Sequence, residues 1–181
     1  CISSAASDVY KRQLLYVKAE EKEVNKQVSK IDNETFAKLV REYSINMYRL
    51  SYGILHSKSD AEDAVSEAVL KAYENLKSLK KTESFKAWIM QITVNEARRI
   101  YRRSQKEIPA DQSKGLEPAF WDEHHELWDV VMKLKEGYRE VILLYFYEQM
   151  SLKEISKVLH IAEGTVKSRL SRGKKLLKEM L

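Results

Sequence analysis

Residues 151–177 read SLKEISKVLHIAEGTVKSRLSRGKKLL, and this stretch decides the fold of the C-terminal part of the chain. It opens with a capping box, because the Ser151 hydroxyl can accept an early backbone N–H and Glu154 can accept the N–H of Ser151. Apolar residues at helical spacing lie on both sides of a tight turn at residues 160–162, where Ile161 can fill the space between two helices. The pattern predicts helix, short turn, helix.

The outward face of the second helix is polar, small and cationic. Its candidate DNA-binding residues are Gly164, Thr165, Lys167, Ser168, Arg169, Ser171, Arg172 and Lys175. Arginine and lysine can donate to guanine edges or phosphates, serines permit close approach, and a glycine near the helix start leaves N–H groups open to a phosphate. The helix therefore suits the major groove. The alternative is a basic amphipathic helix on an acidic protein or a membrane surface.

The composition of the 181-residue chain favours long helices. Charged residues make up 33% of it, and five glycines and two prolines are too few for a turn-rich sheet protein. We predict an all-α fold of two small helical domains joined by a flexible acidic linker, the C-terminal one a helix-turn-helix domain. The single cysteine excludes an intramolecular disulfide, and no stretch approaches the roughly 18 apolar residues of a membrane span. We expect a cytoplasmic protein.

The charge of the chain runs from basic to acidic to basic. Residues 86–106 and 167–181 each carry six basic side chains against one acidic one, whereas residues 107–129 carry one lysine against seven acids. Two basic clusters with an acidic spacer indicate two contacts with nucleic acid. We place the linker, which lacks periodicity and contains both prolines, at residues 105–126, between domains at 31–104 and 127–181.

The N-terminal tail, residues 1–30, adds little to the functional reading. Residues 1–13 look like vector- or adapter-derived sequence, and residues 14–30 have no role that we can assign. The alternative for Cys1 is the lipid-bearing residue of a processed bacterial lipoprotein.

Two helices are predicted next. Asp32 or Asn33 can cap the first, and the second starts at Asp60 with an apolar face of alanine and valine. The opposite face of the second helix is polar and free to meet a partner; with Asp60 at its start it carries Glu62, Asp63, Ser66 and Glu67.

A third helix, capped by Ser84 and running from Phe85 to about Arg103, carries two apolar stripes. Phe85, Trp88, Ile89 and Ile92 form the first stripe, and Met90, Val94, Ala97 and Tyr101 form the second. Between them lies a row at helical spacing, Gln91, Asn95, Arg98 and Arg102. A solvated face would explain the arginines, but an apolar stripe left in water usually marks a binding surface.

These motifs resemble the extracytoplasmic-function sigma factors of bacteria, over about residues 33–181. DAEDAVSEAVLKAY at 60–73 resembles the polymerase-binding helix of region 2, and FKAWIMQITVNEARRIYRR at 85–103 resembles the promoter-melting helix. The C-terminal stretch from Tyr138 is similar to region 4. The three motifs occur in the family's order, whereas a helix-turn-helix alone would also fit many repressors and response regulators.

The resemblance implies the partners. The acidic face of the second helix would meet the coiled coil of the largest subunit of core RNA polymerase, and the helices before the helix-turn-helix would sit on the polymerase flap. The minus-ten element of promoter DNA would contact Gln91, Asn95, Arg98, Arg99 and Arg102, where a flipped-out base can be held by its stacking face and edge. The recognition helix would read the minus-thirty-five element. Regulation would come from a separate anti-sigma factor, in a stress or envelope response.

One feature of the sequence departs from the family pattern. Lys135-Glu136-Gly137 precedes Tyr138 where the family usually has a proline, which leaves that helix boundary open.

The main alternative function is that of a plain helix-turn-helix regulator that never joins polymerase. An enzyme is the second, but no Gly-rich phosphate loop occurs, and the adjacent His124-His125 pair alone suggests a metal. We therefore expect no catalytic residues, metal, cofactor or small-molecule substrate.

Overall fold

The computed structural model describes residues 31–79, 81–104 and 125–181, and every regular element in these ranges is helical. The helices are α1 (Asn33–Leu55), α2 (Lys58–Glu74), α3 (Phe85–Ser104), α4 (His125–Met132), α5 (Glu136–Ile142), α6 (Leu152–Leu159) and α7 (Glu163–Met180). A π-helical turn, Leu143–Tyr147, continues α5, and two 3-10 turns, Leu76–Ser78 and Thr82–Ser84, lie between α2 and α3. The prediction of an all-α fold is confirmed. The linker lies mostly outside the described residues.

Local capping sets where the first two helices begin. Asp32 Oδ1 accepts the backbone N–H of Thr35 at 2.7 Å, as expected of an N-cap. The second helix begins at Lys58 rather than at Asp60, because Ser57 caps it by accepting the N–H of Asp60 at 3.3 Å. His56 connects the two helices in the left-handed conformation, with φ 55°.

Helices α1, α2 and α3 pack around a core of small and aromatic side chains. Helix α2 presents four fully buried alanines, whose size lets its backbone approach α1 and α3 closely; they are Ala61, Ala64, Ala68 and Ala72. Phe85, at the start of α3, packs edge-on against Phe36 of α1 with ring centroids 6.1 Å apart. Aromatic pairs of this geometry add to the stabilisation from buried area.

The second stripe of α3 is not an exposed surface. Met90, Val94 and Ala97 are all fully buried, as are Phe85 and Ile89 of the first stripe. The reason is that α3 packs on α1 and α2 and also on α6 of the C-terminal half. The interpretation of this stripe as a binding surface left in water was therefore wrong.

The C-terminal helices form the predicted helix-turn-helix. Ser151 and Glu154 make both hydrogen bonds of the capping box, and α6 and α7 are joined through a turn at residues 160–162. Ile161 packs against the core from this turn, as predicted. Gly137 lies inside α5, which begins at Glu136, and Phe146 of the π-helical turn is 49% exposed.

The N-terminal and C-terminal helices pack directly on each other. Gly53 of α1 faces Leu143 of the π-helical turn so closely that a Cβ atom at position 53 would collide with the leucine side chain. Arg139 of α5 donates to the carbonyl oxygen of Gly53, and Trp128 of α4 stacks on Tyr52 with centroids 6.4 Å apart. The structure therefore holds both halves in one closed arrangement.

Candidate nucleic-acid interface

The candidate minus-ten row on α3 lies at the contact between the two halves. The Arg98 guanidinium donates two hydrogen bonds to the Glu140 carboxylate of α5, at 3.0 and 2.7 Å. Gln91 Nε2 lies 2.7 Å from His160 Nε2 in the helix-turn-helix turn. Asn95 and Arg102, the other members of the row, are exposed. Half of the row is thus occupied by the C-terminal helices.

Arg99 does not belong to this row. Its guanidinium pairs with Glu96 at 2.7 Å and with Glu67 of α2 at 3.6 Å, so it lies on the α2 side of α3. Glu96 is also bound by Lys71 at 2.6 Å. Burial raises the pKa of Glu96, but the hydrogen bonds from Lys71 and Arg99 outweigh it and leave the pKa below its usual value. Arg99 therefore contributes to the packing of α2 on α3.

The acidic face of α2 is open, as the sequence predicted. Glu62, Asp63, Ser66 and Glu67 are exposed, whereas Asp60 is half-buried in the first turn. The Ser66 hydroxyl donates to the backbone carbonyl of Glu62 at 2.9 Å, so it is held within its own helix. Glu67 pairs with Arg99, whereas the carboxylates of Glu62 and Asp63 form no ion pair with the described residues.

Helix α7 presents the recognition face to solvent. Its exposed residues are Gly164, Lys167, Ser168, Ser171, Arg172 and Lys175, and Thr165 is half-buried. A Cβ atom at Gly164 would meet nothing within 4 Å, so the helix start is open to an incoming group. Arg169 is different: its guanidinium lies over Gly137, 3.1 Å from where a Cβ atom would be, and faces Glu140. The absence of a side chain at position 137 makes room for it.

Two buried carboxylates of the C-terminal helices were not identified from the sequence. Glu140 and Glu148 are each 1% exposed. Burial raises the pKa of Glu140, and the Arg98 guanidinium opposes this rise. Glu148, just after the π-helical turn, accepts Asn46 Nδ2 at 2.6 Å and Arg49 Nη1 at 3.3 Å. Neither glutamate gives a sequence signal of burial, because the partners lie 42 residues away for Glu140 and 99 and 102 residues away for Glu148.

The described residues give no support to a metal site or a membrane span. Within them, no group of three His, Cys, Asp or Glu side chains converges as metal ligands. None of the helices in these ranges is long and apolar enough to cross a bilayer. The His124-His125 pair and Cys1 lie outside the part of the chain whose side chains are described.

Two family models match separate parts of the chain. The Sigma-70 region 2 family matches residues 39–107, and the Sigma-70, region 4 family matches residues 124–177. These segments contain the candidate minus-ten row and the helix-turn-helix, respectively.

Two curated relatives named as sigma factors align with this chain over most of their own length. The ECF RNA polymerase sigma factor SigW of Bacillus subtilis (strain 168) is 29% identical over 180 residues, covering 86% of this chain and 94% of SigW. The RNA polymerase sigma factor SigV of the same strain is 29% identical over 148 residues, covering 78% of this chain and 88% of SigV.

Solved structures share the fold. The sigma factor RpoE in complex with the anti-sigma factor NepR, from Bartonella quintana, aligns with a TM-score of 0.67 at 24% identity, over 78% of this chain and 95% of RpoE. CnrH in complex with the cytosolic domain of CnrY aligns with a TM-score of 0.63 at 22% identity, over 86% of this chain and 93% of the other. Both family models match this one chain, which also carries the acidic face of α2 and the helix-turn-helix. This protein therefore belongs to the extracytoplasmic-function (ECF) group of the sigma-70 family.

Proposed function

We propose that this protein is a sigma factor that binds core RNA polymerase and directs promoter-specific transcription initiation. The observation that carries the proposal is the presence of two candidate DNA-reading helices, α3 and α7, together with an acidic α2 face that is free for a protein partner. A plain helix-turn-helix regulator would need only α6 and α7. It would have no use for the exposed carboxylates of Glu62 and Asp63.

We assign each proposed partner, polymerase and promoter DNA, to a separate surface of the protein. The polymerase coiled coil would meet the acidic α2 face, and α4 and α5 would sit on the flap. The exposed face of α7 would read the minus-thirty-five element, and the row of Gln91, Asn95, Arg98 and Arg102 would contact the minus-ten element. Arg99 is the weakest of the predicted contacts, because Glu96 and Glu67 hold it on the other side of α3. Region 2 would occupy residues 31–104 and region 4 residues 127–181.

Regulation by an anti-sigma factor fits the same surfaces. RpoE and CnrH, which share this fold, were solved with the anti-sigma factor NepR and the cytosolic domain of CnrY, respectively. A protein of that kind would hold this chain inactive until a stress or envelope signal releases it. The chain would then act in the cytoplasm, at the nucleoid, as a specificity factor rather than as an enzyme.

Run-off transcription with core RNA polymerase tests the proposed function. Fragments of the host genome should yield discrete transcripts only when the protein and core enzyme are both present. Tight binding to duplex DNA by the protein alone, with no transcript from any fragment, would instead identify a plain helix-turn-helix regulator.

Substitution of Arg172 tests the role of α7 in the same assay. Arg172→Ala should weaken promoter recognition by about 1–3 kcal/mol if the guanidinium reads a base, and by a similar amount on all sequences if it binds a phosphate. The control is Lys38→Ala, which removes an exposed cation from α1, far from α7 in sequence. Equal losses for both variants would contradict a specific role for Arg172.

A further inference from the structure

We propose that Arg169 is a positioning residue, which packs its guanidinium on Gly137 and so fixes how the recognition helix α7 crosses α5, and that it does not bind DNA itself. The inference rests on the proposed function, because it concerns how the exposed face of α7 is aligned for the minus-thirty-five element. It divides the predicted DNA-binding residues of α7 into those that contact DNA and one that aligns them.

The direction of Arg169 on α7 differs from that of the exposed candidate residues. Helical residues three apart differ by about 60° in direction, so Arg169 lies beside Val166, which is fully buried. Ser171, two positions further on, is exposed and points about 160° away from Arg169. Arg169 itself is half-buried. Its side chain therefore lies at the edge of the packed face of α7 and not at the centre of the face that DNA would meet.

Gly137 receives the Arg169 guanidinium. A Cβ atom at position 137 would lie 3.1 Å from Nη1, 3.2 Å from Cζ and 3.5 Å from Nε, so three atoms of the guanidinium cover this point. Glycine is a poor helix former, and Gly137 lies in α5 without the positive φ that would require it. The missing side chain therefore serves the close approach of Arg169.

A buried carboxylate beneath this contact attracts the guanidinium. Glu140 follows Gly137 by three residues, which places both on the same side of α5, and it is 1% exposed. Burial raises the pKa of Glu140, and the positive charges of Arg98 and Arg169 oppose this rise. Salt screens the attraction of a buried charge less than that of a surface pair. A planar, weakly hydrated guanidinium can also pack on a backbone in a way that an ammonium group cannot.

Helices α5 and α7 approach each other closely at a second point. A Cβ atom at Gly173 of α7 would lie 3.1 Å from Ile142 Cγ1 of α5. The two close approaches are separated by about 6 Å along α7, from 169 to 173, and by about 7.5 Å along α5, from 137 to 142. One point of contact would let α7 pivot on α5. Two separate points fix the crossing angle of the helices.

The crossing angle decides where the exposed side chains of α7 lie. Gly164 precedes Gly173 by about 13.5 Å of helix, so a rotation of about 10° about the Gly173 contact would move it by roughly 2 Å. Binding groups must be held within about 0.5 Å of their productive positions. Loss of the Arg169–Gly137 contact should therefore weaken recognition by all the exposed residues of α7 together, although none of them is changed.

Selection of duplex DNA tests the inference in the complete system. The full chain with core RNA polymerase selects sequences from a double-stranded library of random sequence. Binding of the selected duplex and of the unselected library is then measured at several salt concentrations, again with core enzyme. Arg169→Ala should bind the selected duplex about tenfold more weakly or worse, and the library less than about threefold more weakly. The salt dependence should stay unchanged, and the preference at every base position should weaken together.

Gly137→Gln separates alignment from charge, because it fills the space under the guanidinium and leaves Arg169 in the chain. Glutamine favours a helix more than glycine does, so α5 should still form. This variant should show the same loss as Arg169→Ala, and the double variant should lose no more than either single one. Arg169→Lys, which keeps the charge without the planar group, should not restore binding. Lys38→Ala removes an exposed cation from α1 and should change neither measurement.

Other outcomes would overturn the inference. A preference lost at one base position only would show that Arg169 reads a base, and an equal loss on both DNAs with a salt slope smaller by about 0.9 would show that it binds a phosphate. Full binding by Gly137→Gln, with helix content unchanged by circular dichroism, would show that the contact is not needed. A wild-type chain that selects no sequence with core enzyme would reject the proposed function, and the inference with it.

Discussion

Substitution of Gly53 by alanine separates the stability of the N-terminal helices from the stability of the closed arrangement. Gly53 lies in the last turns of α1 with an ordinary helical backbone, where alanine is favoured over glycine by about 1 kcal/mol. That gain would apply equally to an open chain, in which the N-terminal and C-terminal helices are separated, because α1 itself would keep its helix. Considered alone, the substitution should therefore stabilise the protein against unfolding.

The contact with Leu143 reverses this expectation for the closed state. The leucine side chain, 1% exposed, occupies the space that the new methyl group needs, and overpacking of a well-packed interface costs about 1–3 kcal/mol. The ratio of open to closed chain should rise by that amount, which corresponds to about 5- to 150-fold. The net loss of unfolding free energy should be smaller, about 0–2 kcal/mol, because the helical gain offsets part of the cost.

Urea denaturation and fluorescence energy transfer between dyes at Lys38→Cys in α1 and Lys153→Cys in α6, in a Cys1→Ser background, measure these two quantities on the same protein. Leu143→Ala makes the space that the methyl group needs, so Gly53→Ala on that background should no longer open the chain, and the double-mutant cycle should give a coupling energy of about 1–3 kcal/mol. An unchanged transfer efficiency together with a full gain of about 1 kcal/mol in stability would refute the reasoning. It would mean that Leu143 moves aside at no cost.

Three further predictions concern stability. Ser151→Ala removes the capping box and should lower the unfolding free energy, measured in urea, by about 1 kcal/mol. The control Ser171→Ala, at an exposed position, should change it by less than about 0.5 kcal/mol. Equal effects of the two substitutions would contradict the capping role of Ser151. Partial desolvation and the positive charge of Arg139 lower the pKa of His56 to about 4, so below pH 6.5 the unfolded chain binds a proton that the folded chain does not. The melting temperature should therefore fall as the pH drops from 6.5 to 4. His56→Asn should remove this part of the pH dependence, and an unaltered profile would disprove it. Gly173→Ala would place a methyl group 3.1 Å from Ile142 Cγ1, so we expect the unfolding free energy in urea to fall by about 0–2 kcal/mol. A clear gain in unfolding free energy would show that α5 and α7 can separate without cost.

Local signals explain what the sequence determined on its own. The caps at Asp32 and Ser151, the periodicity of α1 to α3 and the turn before Glu163 all depend on residues within three or four positions of one another. The order of charged segments and the resemblance of three motifs are likewise readable along the chain. The all-α fold, the helix-turn-helix and the sigma-factor family could therefore be predicted before any coordinate was known.

Long-range contacts decided the rest. The second stripe of α3 was misread as exposed because α1, α2 and α6 all pack on α3. Arg99 separates from Arg98 only once α2 supplies Glu67. The burial of Glu140 and Glu148 follows from partners about 40 and 100 residues away. A glutamate in a helix pattern reads as solvated whether or not a distant arginine will cover it, and so the closed arrangement of the two halves was decided by tertiary packing alone.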